Sequence, residues 1–189
     1  RDVIKNNPSD FIIVSMHYNW FDGRNGSAYQ YNAWKDFFDA NGVDLALAGH
    51  NHVYVRTHRL YEGVRNNKMG TMYLQTPSSD NDRGREISST FNNANLIAYR
   101  FSEGARTVGG VIVDVTETEI KTRLVDRNGR VLDEGRITKR AKEAFNKEAF
   151  MDSFNFYQVD GQKYVSVSPS GVNNVECIKY YDNDDVFDI

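Results

Sequence analysis

The sequence predicts an α/β fold (α+β in its later part), and three observations carry that expectation. Two short, uninterrupted apolar runs, residues 11–14 and 43–48, have the character of strands buried on both faces. A polar loop and a segment of helical period lie between them, which makes a strand–helix–strand crossover and therefore a parallel pair. From Val53 onward, short alternating segments follow one another in the manner of half-exposed strands.

Taken in order, residues 1–8 read as the last turn of a helix, with Lys5 near its carboxyl end, asparagines at the stop and Pro8 beyond. A helix met so close to its own end leads us to expect a sequence cut from a longer chain. The first strand, 11–14, is Phe-Ile-Ile-Val. Residues 18–31, rich in Asn, Gly, Asp and aromatics, are expected to form a long loop, and loops of that length in compact domains are usually functional. Trp34, Phe37 and Phe38 then recur at helical spacing, an arrangement that favours core packing over a substrate platform, and Asn41-Gly42 closes the helix. The second buried strand, 43–48, follows. Segments 53–57, 71–76, 96–101, 110–115 and 119–126 alternate as further strands, and the polar stretch 77–93 reads as a second long loop. Asn128-Gly129 predicts a type I′ hairpin turn joining 119–125 to 131–137. Residues 138–154 have a helical pattern, with Ala141, Ala144, Phe145 and Ala149 on one face and Glu143 four residues before Lys147. Short strands return at 156–159 and 164–167 around Asp160-Gly161.

Composition bounds the function. A chain of 189 residues supports one good core with a small appendage, and 40% apolar with 26% charged residues is ordinary for a globular protein. A net charge of -3 and no Lys/Arg-rich run argue against nucleic acid as a partner. No apolar run approaches the ~20 residues of a membrane-spanning helix, so a membrane partner is not expected. The one cysteine, Cys177, rules out an intrachain disulfide and a cysteine-based zinc cluster. Compartment stays open, with a bacterial exported or cell-surface location slightly favoured over the cytoplasm.

The chemistry lies in the histidines. Ser15-Met16-His17 ends the first buried run, and Gly49-His50-Asn51-His52 ends the second. In open α/β sheets the crevice past the carboxyl ends of parallel strands is where ligands bind, and imidazole is the commonest side-chain ligand for transition metals. In an extended segment His50 and His52 would share a face, and two neutral imidazoles so close need a cation or strong hydrogen bonds. His17 would arrive beside them, because its strand neighbours theirs. His58 is explained without any function.

The pairing of Val14-Ser15-Met16-His17 with Gly49-His50-Asn51-His52 resembles the last two of five signature blocks in calcineurin-like metallophosphoesterases, most of all the purple acid phosphatase branch. The continuation Val53-Tyr54-Val55-Arg56-Thr57, and the later Val111-Ile112-Val113-Asp114-Val115 with its hairpin and Val131-Leu132-Asp133, are similar to that branch too. His-x-His also occurs in cupins and amidohydrolases, but neither places it after a parallel βαβ unit in this way. The resemblance implies the carboxyl-terminal half of a four-layer αββα sandwich over 1–138, then a connecting helix over 139–154 and a small β-rich appendage over 155–189. It implies a dinuclear centre of divalent or trivalent ions (Fe, Zn or Mn), with His17 and His50 on one metal and His52 on the other. Such a pair, about 3.5–4 Å apart, clamps a phosphate ester and activates a water for in-line attack.

The departures matter as much. The blocks that carry the family's aspartates, its asparagine and its Gly-Asn-His would all lie upstream of His17, and residues 1–16 contain none of them. The metal set is therefore expected to be incomplete here, the parent's phosphate-ester substrate to need a missing amino-terminal half, and the chain alone to lack turnover. The face which that half would cover on 11–14 and 43–48 is expected to be exposed and prone to self-association. Where plant-type relatives carry further histidines after His17, this chain has Tyr18, Asn19 and Trp20, which leaves Asn19 or Tyr54 as weak candidates for assisting the leaving group. Arg56 is a further candidate, as a bidentate phosphate donor. The competing expectation is a non-catalytic binding or structural module that keeps the phosphoesterase fold.

Overall fold

Alternation along the strands sorts the apolar side chains into two cores, one on each face of a central sheet. The computed structural model describes residues 2–7, 9–66, 68–80, 82–139, 154–167, 179–182 and 185–188. Its contacts divide the chain into two units, Arg1–Lys139 and Arg140–Ile189.

In the first unit, helix α1 (Asp2–Asn6) precedes β1 (Ile13–Ser15), α2 (Tyr29–Asn41) and β2 (Leu45–Ala48). β1 and β2 pair in parallel, as the crossover requires. Gly42 ends α2 in the left-handed region at φ 64°, and its N–H reaches back to the last turn. The sheet continues through β3 (Tyr54–Tyr61), β4 (Val64–Arg65), β5 (Thr71–Gln75) and β6 (Ile97–Phe101), the last entered through a single 3-10 turn, Ala94–Leu96. Strand order is β1-β2-β5-β3-β4, with β6 also on β3. β5 runs parallel to β2, while β3 is antiparallel to β5. β7 (Gly109–Val115), β8 (Glu119–Asp126) and β9 (Val131–Thr138) form a separate antiparallel meander.

Ala46, Ala48, Tyr73 and Leu60 point to one side, where they meet Phe38 and Tyr31 of α2 together with Trp20 and Phe21. Leu45, Met72, Leu74 and Tyr54 point to the other and pack on Ile120, Leu124 and Ile137 of the meander. The unit is therefore a helix–sheet–sheet sandwich with two cores.

An ion network joins the two sheets. Arg56 of β3 grips Asp133 of β9 through Nε at 2.6 Å and a terminal nitrogen at 2.9 Å, and the Tyr54 hydroxyl donates to the same carboxylate at 2.8 Å. At the start of β2, buried Asp44 accepts from the Ile12 N–H at 3.0 Å and from Lys139 at 2.8 Å, tying the start of β1 to the end of β9.

Several sequence expectations are corrected. β5 alternates in sequence yet is buried along its whole length, because it lies between β2 and β3 with a layer on each face. Trp34 and Phe37 are 42% and 38% exposed, and Tyr31 takes the core position with Phe38. Leu45, Ala46 and Ala48 are all buried, so the uncovered face expected of 43–48 is not found; Ile13 of the edge strand β1 is 40% exposed. The loop before α2 carries Trp20 and Phe21 into the core, with the indole N–H donating to the Ala46 carbonyl at 2.8 Å.

The hairpin after β8 is not type I′, since Gly129 (φ 79°) has positive φ while Asn128 does not. Asp126 decides the matter: its carboxylate accepts the N–H groups of Asn128 and Arg130, and its carbonyl accepts that of Gly129 at 3.0 Å. That is a type I turn followed by a left-handed glycine.

The helix expected over 139–154 lies outside the described residues, apart from its two ends. In the second unit, β10 (Phe154–Val159) and β11 (Gln162–Val167) form an antiparallel hairpin about Asp160 (φ 49°) and Gly161 (φ 81°), and β12 (Lys179–Asp182) pairs antiparallel with β13 (Asp185–Asp188).

Candidate functional site

Parallel pairing places the carboxyl ends of β1, β2 and β5 side by side, and the three loops that leave them carry His17, His50 with His52, and Arg83. The β1–β2 ladder runs on past the strands: Met16 N–H donates to the Leu47 carbonyl at 3.0 Å and Gly49 N–H to the His17 carbonyl at 3.1 Å. This extension holds the backbones of His17 and Gly49 together. Nδ1 of His50 consequently lies 3.1 Å from Nε2 of His17, with the ring centroids 5.0 Å apart and the planes near perpendicular at 80°. Tyr18 completes a three-ring cluster, its centroid 5.4 Å from His17 and 4.7 Å from His50. All three rings are exposed.

The turn carrying the second and third histidines is not extended. His50 has φ 70° and His52 φ 57°, both left-handed, and the Asn51 N–H closes back on the Gly49 carbonyl at 2.9 Å. Strand alternation therefore does not apply to His50 and His52, and it is the turn that sets their rings. Left-handed backbone costs a residue with a side chain about 1–2 kcal/mol, and such strain clusters at sites that bind or catalyse. His52 is held otherwise: its Nδ1 lies 2.6 Å from the Arg83 carbonyl oxygen. A carbonyl only accepts, so Nδ1 carries the proton, and in the neutral ring Nε2 is the nitrogen left with a lone pair, the tautomer that second-sphere carbonyls impose on metal-binding imidazoles.

Whether these groups fit a metal can be tested on distances. Two imidazole nitrogens at ~2.0–2.1 Å from a tetrahedral cation stand roughly 3.3–3.4 Å apart. The 3.1 Å between His17 and His50 is that of an N–H···N hydrogen bond between the rings and is also near the cation value, so the pair is compatible with two positions of one cation. Among the described residues, however, no three His, Cys, Asp or Glu side chains are grouped closely enough to hold an ion. The described residues do not complete a dinuclear centre, and no catalytic step is derived through one.

Asn19 is half-buried on the wall of a cavity of about 220 Å³ that also includes Tyr18, Asp22 and Tyr29. Burial there favours protonated Asp22, but Arg24 and the backbone N–H groups of Arg24 and Asn25 outweigh it and hold the carboxyl below its ordinary range. Tyr54 and Arg56 stand elsewhere, in the intersheet network with Asp133. Burial first, and then the Asp133 charge, push the Tyr54 hydroxyl well above the ordinary phenol range. Both bond the Asp133 carboxylate, away from the histidine pair. Sequence reasoning missed Arg83, whose contribution is a main-chain carbonyl and leaves no residue-type signal. It also missed Trp20, hidden in a stretch read as loop.

No family model matches the sequence, and no curated protein matches it. Solved structures do. The purple acid phosphatase PPD1 from yellow lupin (Lupinus luteus) seeds is similar at 18% identity and a TM-score of 0.51, over 68% of this chain and 25% of that one. GAP50, the anchor in the inner membrane complex of Plasmodium, is similar at 16% identity and a TM-score of 0.52, over 77% of this chain and 42% of that one. At these identities the likeness establishes a fold: a phosphoesterase-like α/β sandwich, of which this chain spans less than half the length of either relative.

Proposed function

We propose that these residues form part of a metal-dependent phosphoesterase, in which His17 and His50 hold one cation, His52 helps to hold a second, and phosphate esters are the substrate. The observation that carries this proposal is the approach of His50 Nδ1 to His17 Nε2 at the carboxyl ends of two adjacent parallel strands. The strained turn, the fixed tautomer of His52 and the fold shared with the lupin acid phosphatase support it. The carboxylates that would bridge the ions come, in this proposal, from a segment outside this sequence, with β1 at the sheet edge as its neighbour. Metals of the Fe, Zn or Mn class would polarise the phosphoryl oxygens and lower the pKa of a bound water.

A second proposal is a non-catalytic module on the same fold. Two findings favour it: no three-ligand cluster exists among the described residues, and the fold also occurs in a protein named as an anchor. Assaying the longest natural chain that contains these residues separates the two. The phosphoesterase proposal expects turnover of a phosphomonoester or diester with added Mn, Zn or Fe. His17→Ala and His50→Ala should each cut that turnover by at least the ~10–100-fold typical of losing an outer-sphere metal partner. A folded chain with no turnover under any of these metals would establish the module instead.

A further inference from the structure

We propose that the opposite end of the six-stranded sheet carries a second site, a cavity for a small tetrahedral oxyanion such as phosphate, formed by His58, Arg56, Arg59 and Arg136. It stands independently of the histidine-pair proposal. Strand register runs the site along β5 away from the histidines: Arg56 pairs with Leu74 and Arg59 with Met72, while Gln75, opposite Val55, ends the strand on the histidine side.

Between Arg56 and Arg59 the β3–β5 register shifts in a bulge. The Thr57 hydroxyl there accepts the Tyr73 N–H at 3.0 Å. Bulges re-aim side chains and are common beside binding sites. This one brings four consecutive residues, Arg56, Thr57, His58 and Arg59, to the wall of one cavity, together with Asn66, Met72 and Arg136. Among the described residues, no carboxylate lines it. Its volume of about 170 Å³ far exceeds the ~10–15 Å³ that a single water requires.

The guanidiniums are already braced, which makes them preorganised donors rather than mobile ones. Arg56 is fixed by Asp133, and Arg59 by the carbonyls of Gly70 and Lys68 with Asp44 at 3.9 Å. Arg136 is the adjustable member, with one terminal nitrogen on Glu119 at 3.1 Å and most of its side chain exposed. The His58 ring makes no hydrogen bond to another described side chain or carbonyl, and its charged neighbours are Arg65 and Arg56. Behind the lining residues, the buried Thr122 hydroxyl, also without a partner among the described residues, lies against Gly135 beside Arg56 and Met72. Arginine forks suit oxyanions by geometry as well as charge.

The test is a titration of the intact chain with inorganic phosphate, in chelator and at constant low ionic strength, followed through the histidine side-chain NMR signals. Saturable movement of the His58 signal is expected, with sulfate competing and chloride inert. Arg136→Gln, an exposed change that circular dichroism can confirm as folded, should weaken phosphate about tenfold, the worth of one charge-assisted hydrogen bond. His50→Ala should leave the affinity unchanged. Movement that is linear in phosphate, reproduced by chloride, or unaltered by Arg136→Gln would overturn the proposal. Loss of binding in His50→Ala alone would overturn it too, by placing the anion at the histidine pair.

Discussion

Replacing Asp133 with alanine tests what holds the two sheets together. The carboxylate is 8% exposed and serves two partners, the Arg56 guanidinium (14% exposed) and the Tyr54 hydroxyl. Removing it leaves a buried cation without its anion, a change that costs about 3–5 kcal/mol. The orphaned hydroxyl adds to this, though not additively, since both losses relax through the same space. Against a total stability of about 5–15 kcal/mol for a domain, that is a large fraction. In urea, with a slope of about 2 kcal/mol/M, the unfolding midpoint should fall by roughly 1.5–2.5 M. Tyr54→Phe removes only the donor and should cost about 1 kcal/mol. Arg56→Met combined with Asp133→Leu replaces the pair by apolar packing and should recover most of the loss. A midpoint shift under about 0.5 M for Asp133→Ala, or a double variant no better than the single, would refute this account of the intersheet network.

His58 titrates below the ordinary histidine range, chiefly because burial disfavours its charged form and then because of Arg65 and Arg56. The unfolded chain therefore takes up a proton first, near pH 6.5, and stability falls as pH drops through that value. His58→Gln should flatten that part of the stability–pH curve, read by urea unfolding at pH 7.5 and 5.5, and a slope equal to wild type would count against it. Two glycines separate conformational from steric cost. Gly129 (φ 79°) has open space around it, so Gly129→Ala should cost only about 1–2 kcal/mol of left-handed strain. A Cβ on Gly70 (φ 94°) would lie 2.2 Å from the Leu60 carbonyl oxygen, so Gly70→Ala should lower the melting temperature distinctly more; equal effects would contradict the packing at that turn.

Much of the architecture was legible because it rests on local pattern. Apolar runs gave the parallel pair, helical spacing with Asn41-Gly42 gave α2, and alternation gave the strands of the meander. What was hidden depends on partners distant in the chain. Arg56 and Asp133 stand 77 positions apart, and nothing near either one signals the other. β5 looks half-exposed in sequence because alternation cannot report a layer that covers both faces. Trp20 and Phe21 belong to a segment whose polar neighbours suggest solvent, yet cover the sheet.

The candidate site divides in the same way. Strand ends pointed to His17 and His50, and the structure sets these two side by side. The left-handed turn at His50 and His52 was not legible, because histidine, though enriched at positive φ, adopts it too seldom to announce it. The Arg83 carbonyl that orients His52 could not be found from residue identity at all.

Cobalt binding addresses the central claim most directly, since a pair of imidazole nitrogens changes the visible spectrum of Co(II) when it enters the coordination sphere. The longest natural chain that contains these residues should bind Co(II) with new visible absorption bands, and His17→Ala and His50→Ala should each abolish them, while His58→Ala leaves them intact. Bands that survive both substitutions, or that never appear although the protein is folded, would contradict the assignment of this histidine pair as a metal-binding element.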